Sequence, residues 1–233
     1  MNPTHVIIVA AGTGTRFGSD LPKQFADLCG KPVLAHAIET FRKALPASEM
    51  TVVISEAMRD SWSELCRTHG IAPHHVVNGG STRWESVKNA INSLNGMPAG
   101  TTVLIHDGAR PLVDEKTIMA AAAAARNTDG AIPATPVTDS LRQLDDNETA
   151  SEAVDRSRFR AVQTPQAFVL WRLREAYGLP YQPEFTDDAS VLAAAGFSNI
   201  VLTPGSPSNL KITTPVDLII AKAIIEARSH REQ

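Results

Sequence analysis

Cysteine is scarce: Cys29 and Cys66 are the only two in 233 residues, and neither sits in a CxxC or zinc-ligand spacing. A disulfide scaffold and a zinc module are therefore excluded, and a reducing compartment with core or surface thiols is expected. An excess of one charge is also lacking. The 22 Lys+Arg against 25 Asp+Glu leave a net charge of −3, which removes a general nucleic-acid or anionic-membrane surface and confines any basic patch to a local site. No apolar run reaches the length of a bilayer span, and no cationic segment leads into a long apolar one near Met1. A cytoplasmic protein without membrane or nucleic-acid partners is the expectation. Repeats and low-complexity linkers are missing too, and the length suits one α/β domain over residues 1–233.

Two nucleotide signatures are absent as well. A short β-branched run at 6–9 reads as a buried strand and leads into Ala10-Ala11-Gly12-Thr13-Gly14-Thr15-Arg16-Phe17-Gly18, then Leu21-Pro22-Lys23-Gln24. A dinucleotide fingerprint needs a third glycine where Phe17 stands and an acidic residue ending a second strand about twenty residues on. A P-loop needs lysine and a hydroxyl directly after the last glycine, whereas Arg16 and Lys23 stand apart from Gly14. What remains is a glycine loop with free amides and two cations, a fit for a triphosphate attacked at one phosphorus. A plain glycine turn with two solvated basic residues is the other reading of the loop.

Apolar periodicity predicts helices over 33–44, 56–69, 82–94, 114–126, 169–177, 187–195 and 214–227, with strands at 50–54, 75–77, 101–106, 130–134 and 199–202. This alternation predicts a mostly parallel sheet with helices on both faces, binding ligands beyond the carboxyl ends of its strands. Gly12, Gly80 and Asp107 would lie there. Residues 137–168 break the pattern and read as a β-hairpin or arm, too poor in apolar residues to stand alone. It either packs on a second copy of the chain or is a mobile surface hairpin.

Three further clusters carry chemistry. In His106-Asp107-Gly108-Ala109-Arg110-Pro111, Asp107 can hold magnesium or a sugar hydroxyl, or simply pair with Arg110, while His106 reads as a packed strand-end histidine. Gly79-Gly80-Ser81-Thr82-Arg83-Trp84-Glu85-Ser86 can read a pyrimidine edge or serve as a helix cap. Arg156, Thr164, Thr186 and Lys211 are candidates for a second phosphate, with capping as the alternative for the hydroxyl at Thr186.

Taken in order, these clusters resemble the cytidylyltransferase family that joins CTP to 2-C-methyl-D-erythritol 4-phosphate in non-mevalonate isoprenoid synthesis. The resemblance spans nearly the whole chain and also rests on Val154-Asp155-Arg156, Gln163-Thr164-Pro165-Gln166, Thr186-Asp187-Asp188 and Asn209-Leu210-Lys211-Ile212-Thr213. It implies a Rossmann-like nucleotidyltransferase fold with an arm at about 137–162 exchanged across a homodimer. It further implies that Arg16 and Lys23 stabilise charge on the α-phosphate of CTP, and that Ala10, Ala11, Gly12 and Gly14 line the triphosphate and base pocket. Gly80, Ser81 and Ser86 would read cytosine, and Asp107 and Gly108 would contact ribose, with Asp107 near Mg2+. Arg110, Ser140, Thr164, Thr186 and Lys211 would form the acceptor site, joined by Arg156 from the partner subunit.

Three positions depart from the family pattern: Ser140 replaces a common threonine, Ser81 an often acidic residue, and Gly108 a more frequent alanine, the last expected to matter little. A ribitol 5-phosphate cytidylyltransferase and a nucleotide-binding module without chemistry are the competing expectations.

Overall fold

The computed structural model describes residues 3–12 and 22–230. Strand β1 (Thr4–Val9) is followed by a small hairpin, β2 (Asp27–Leu28) and β3 (Lys31–Pro32), and then by α1 (Val33–Ala44) and β4 (Glu49–Ile54). Next come α2 (Arg59–His69), β5 (His75–Asn78), α3 (Arg83–Ser93), β6 (Thr102–Asp107), α4 (Glu115–Ala124) and β7 (Gly130–Pro136). The second half runs β8 (Leu141–Leu144), β9 (Ser151–Val154), β10 (Arg160–Val162), β11 (Gln166–Val169), α5 (Leu170–Ala176), α6 (Asp188–Ala194), β12 (Ile200–Pro204) and α7 (Pro215–Ser229).

The expected α/β alternation is therefore present. β4 and β6 flank β1 in parallel and β5 extends the sheet beyond β4. Val6, Ile7 and Ile8 have no exposed surface, nor have Val52, Val53 and Ile54. Strands buried on both faces lose the polar alternation of an open sheet, which is why they read as unbroken apolar runs. Ile38, Phe41 and Ile118 cover one face, while Val87, Ile91, Leu173 and Leu192 cover the other. Each such side chain contributes about 1.5–3 kcal/mol on burial. Helix α2 begins later than expected because residues 56–58 form a separate 3-10 turn. The hairpin between β2 and β3 had no counterpart in the periodicity: Cys29 (φ 54°) and Gly30 (φ 82°) are both left-handed, the geometry of a tight two-residue turn.

The 137–168 expectation needs correction. Residues 166–169 are not part of an arm, because β11 enters the main sheet antiparallel between β6 and β7, with Gln166 opposite Ile105 and Ala167 opposite Ala131. Packing explains the insertion. Phe168 and Ala167 are fully buried, and a Cβ on Gly130 of β7 would lie 2.4 Å from the Phe168 ring, so glycine there leaves room for it. β10 also joins the main sheet, pairing antiparallel with the end of β7, while β12 lies parallel on β7. The freestanding hairpin is only β8 with β9, which pair with each other, Leu141 opposite Val154. Its tip is held by Asp145, whose carboxylate accepts from the amides of Thr149 and Ala150. Among the described residues no helix is long and apolar enough to cross a membrane.

Candidate active site

Three loops meet beyond the carboxyl ends of the central strands, and backbone bonds lash them together. The amide of Ala10 donates to the Val53 carbonyl (2.8 Å), that of Gly79 to Ile54 (2.9 Å) and that of Gly108 to Val9 (2.8 Å). Close approach requires glycine at Gly79 and makes Gly108 tight. A Cβ on Gly79 would lie 2.2 Å from the Ala11 Cβ, and one on Gly108 would lie 3.0 Å from both the Ala10 Cβ and Leu34 Cδ1. Gly108 is thus a packing position, and an alanine there would need its neighbours to yield.

Two cavities open above these loops. The larger, about 580 Å³, is lined by Ala11, Gly12 and Lys23 on one side and by Gly80, Ser81 and Ser86 on the other. The smaller, about 320 Å³, is lined by Arg110, Thr164 and Thr186, among others. Arg83, Asp107 and Lys211 belong to both walls. Most of the sequence-nominated residues therefore converge. Ala10 instead sits in the core, and Gly108, Ser140 and Arg156 line neither cavity. Arg156 stands in a 3-10 turn after β9, exposed, with its guanidinium donating to the Thr138 carbonyl. Gly14 and Arg16 lie outside the described residues.

Asp107 is the electrostatic centre. Its Oδ2 lies 2.8 Å from Lys211 Nζ and 3.8 Å from Arg110 Nε, and its Oδ1 lies 3.3 Å from Arg83 Nε. Burial alone would raise its pKa, but Arg83, then Lys211 and Arg110, outweigh that and hold the carboxyl well below the usual range. Lys211 reaches Asp107 because its segment is fixed at both ends. The Ile212 amide donates to the Ala109 carbonyl (2.8 Å), and Asp217, in the first turn of α7, accepts from the amides and hydroxyls of Thr213 and Thr214. Arg110 is fixed by donating to the Asn209 carbonyl (2.7 Å).

His106 is a packed strand-end histidine, as expected. Its Nε2 donates to the Arg110 carbonyl at 3.0 Å, and because burial keeps the ring neutral its Nδ1 accepts from the Thr164 hydroxyl, also at 3.0 Å. Burial lowers its pKa to about 4. The same Thr164 oxygen accepts from the Asp107 amide (3.0 Å), so Thr164 is a strut between the strand end and the smaller cavity.

The turn between β5 and α3 is both a cavity wall and a cap. Thr82 caps α3 by accepting from the Glu85 amide (3.0 Å), and the Gly80 amide donates to the Ser86 hydroxyl (3.0 Å). Ser81 carries no acid, but Glu85 brings a carboxylate onto it, accepting from the Ser81 amide and hydroxyl, each at 2.7 Å. At the other wall Asp187, not Thr186, caps α6, leaving Thr186 to line the smaller cavity.

The sequence reading assigned no role to Arg83, Asp188 or Tyr177. Arg83 donates through both Nη atoms to Asp188 (2.9 and 2.7 Å), and the Tyr177 hydroxyl donates to the same carboxylate (2.6 Å). A signal was available. Asp188 shares a helix face with Val191 and Leu192, and Arg83 shares one with Ser86, Val87 and Ala90, so both charges sit in apolar phase. Among the described residues no three His, Cys, Asp or Glu side chains cluster to hold a metal ion, and Asp107 is the one carboxylate lining the larger cavity.

A family model described as 2-C-methyl-D-erythritol 4-phosphate cytidylyltransferase matches residues 4–227. A protein of that name from Bacteroides thetaiotaomicron is 43% identical over 221 residues, covering 94% of this chain and 98% of its own. One from Rubrobacter xylanophilus is 37% identical over 234 residues, covering 99% and 98%. Among solved structures, a 4-diphosphocytidyl-2C-methyl-D-erythritol synthase from Anaerococcus prevotii superposes with a TM-score of 0.81 at 25% identity, covering 97% of this chain and 99% of that one. The Thermus thermophilus cytidylyltransferase gives 0.72 at 30% identity, with 96% and 98% covered. These matches favour neither the ribitol phosphate alternative nor a module without chemistry. Paired cavities beyond the strand ends, joined by Asp107 and Lys211, and matches along almost the full length agree: this chain belongs to the 2-C-methyl-D-erythritol 4-phosphate cytidylyltransferase family.

Proposed function

We infer that the chain transfers the cytidylyl group of CTP to the phosphate of 2-C-methyl-D-erythritol 4-phosphate, releasing pyrophosphate. The observation that carries this reading is the pair of cavities with a shared wall of Arg83, Asp107 and Lys211. CTP occupies the larger and the acceptor the smaller, so the acceptor phosphate meets the α-phosphate across that wall. The acceptor oxygen is already an anion and needs no general base, which suits a site whose one histidine is neutral and bonded at both nitrogens. What the protein must supply is alignment and cations. Arg16 and Lys23 serve the α-phosphate as charge builds there. Lys211 and Arg110 receive the acceptor phosphate, with Thr186 at its edge. Cytosine lies against Gly80, Ser81 and Ser86, and the ribose against Asp107.

Asp107, the one carboxylate among the described residues lining the larger cavity, would hold a magnesium ion accompanying the triphosphate. A hard cation that keeps waters and phosphates as ligands needs only one or two carboxylates, and Asp107 fits that role. When bound, it neutralises phosphate charge. The enzyme acts in the cytoplasm as a homodimer whose β8–β9 arm brings Arg156 to the partner's acceptor cavity. Exposed Leu144, Phe159 and Val162 in and beside the arm supply apolar surface for that contact. Pyrophosphate release from CTP and magnesium, measured with 2-C-methyl-D-erythritol 4-phosphate and with ribitol 5-phosphate side by side, tests the reading. Strong preference for the first is expected, and equal or reversed preference refutes the acceptor assignment.

A further inference from the structure

We propose that Arg83 is a positioning residue for the transfer: clamped from behind by the buried Asp188–Tyr177 pair, it sets the Asp107 carboxylate at the junction of the two cavities. The inference rests on the cytidylyl-transfer reading and assigns within it a residue that touches Asp107 rather than the reacting atoms.

Three observations carry it. First, the guanidinium is fully committed by geometry. Its Nη1 and Nη2 form a two-pronged pair with the Asp188 carboxylate at 2.9 and 2.7 Å, which leaves Nε to reach Asp107 at 3.3 Å. A planar guanidinium held at two points has its third direction decided, which a lysine cannot reproduce. Second, the clamp itself is anchored. Asp188 has no exposed surface, opens α6, and accepts from the buried Tyr177 hydroxyl at 2.6 Å. Third, Arg83 opens α3, immediately after the Gly79–Thr82 turn of the larger cavity, while α6 follows Thr186 of the smaller. One side chain therefore ties the nucleotide wall to the acceptor wall with Asp107 between them.

Stability alone gives no reason for this arrangement. A buried ion pair is frequently matched or bettered by apolar residues of similar volume, whereas loss of one partner is strongly destabilising. The five groups at the junction, three cations (Arg83, Arg110, Lys211) and two carboxylates (Asp107, Asp188), carry a net charge of +1. They form a fixed, weakly positive frame at the place where two anions must meet.

The test separates positioning from folding. Arg83→Met alone strands the buried Asp188 charge and lowers the melting temperature. Arg83→Met combined with Asp188→Asn removes both charges and keeps an acceptor for Tyr177. The double variant is expected to melt near wild type while kcat falls about 10- to 100-fold, the range for losing a group that orients another, and KM for CTP changes less than kcat. Arg83→Lys provides an independent arm. It keeps the charge beside Asp188 and loses the directed contact to Asp107, so it is expected to melt normally with reduced kcat. Wild-type kcat in either the double variant or Arg83→Lys overturns the proposal. Wild-type turnover of CTP with the acceptor, measured in parallel, keeps a failure of the broader reading distinguishable.

Discussion

Gly79→Ala is the substitution for which the structure sets the sharpest expectation. The added Cβ would lie 2.2 Å from the Ala11 Cβ and 3.1 Å from the Ser86 hydroxyl, where carbon contacts need about 3.5–4.0 Å. Neither side yields easily, because Gly79 is bonded to the Ile54 carbonyl and Ala11 continues directly from β1. Overpacking of this kind costs about 1–3 kcal/mol. At about 2–4 °C for each kcal/mol in a chain of this size, the melting temperature should fall by several degrees. Displacing the turn also moves the Gly80–Ser81 wall, so KM for CTP should rise, by up to about 5- to 150-fold if all of that strain opposes binding, at 1.4 kcal/mol per tenfold. KM for the acceptor should change little. Gly80→Ala is a second case of the same kind: its Cβ would lie 2.2 Å from Glu85 Cγ and 2.6 Å from Glu85 Cβ, which the α3 backbone fixes, so it too should melt below wild type. Thermal melts and steady-state kinetics on both variants decide the matter. Wild-type melting and CTP KM in Gly79→Ala would refute the reasoning.

Thr164→Val removes the strut between Asp107 and His106, leaving a buried amide and a ring nitrogen unpaired; a loss of about 1–3 kcal/mol of stability is expected in denaturant melts, together with reduced kcat. Thr164→Ser should restore both. Arg156→Ala should raise KM for the acceptor while leaving CTP binding near wild type, and an unchanged acceptor KM would count against the exchanged arm. His5, buried and bonded through Nε2 to Thr51, has its pKa lowered from 6.5 to about 4, first by burial and then by His75 and Arg42. The unfolded chain therefore binds this proton first, so stability present above pH 6.5 is lost as pH falls toward 4, by up to about 3 kcal/mol at 1.36 kcal/mol per unit. Chemical denaturation across that window should show the slope, and His5→Leu should reduce it, leaving the share of His106, whose pKa burial also lowers to about 4.

Much of this molecule is readable from local pattern, and the exceptions share a cause. Strands β1, β4 and β6 announce themselves because both faces are buried, so Val6–Ile8 and Val52–Ile54 read as apolar runs. Lys211 and Asp107 could be nominated because the chemistry of a phosphate site demands their residue types. Strand β11 could not, because its four residues follow Pro165 and lead straight into α5, and antiparallel insertion leaves no local mark. Arg83 and Asp188 stand 105 positions apart, and only contact gives either its meaning. Their place on apolar helix faces was visible, but an aspartate at a helix start such as Asp188 is more simply read as a cap or a dipole partner, and nothing local names the partner of Arg83.

The late arrival of β11 has a consequence for how the chain assembles. β5, β4, β1 and β6 form a continuous parallel block from the first 107 residues, each pairing with a neighbour already made. β7 cannot join that block directly, since β11 stands between them and comes thirty residues later in sequence. Closing a long loop before its contacts are rewarded is slow, so the seam between β6 and β7 should be the last part of the sheet to form. Thr164 lies at that seam and Lys211 follows it. During synthesis, then, the strand ends that carry Ala11, Gly80 and Asp107 can take shape before the segments of Thr164 and Lys211 are made, and both cavities are walled only when the final quarter of the chain has folded.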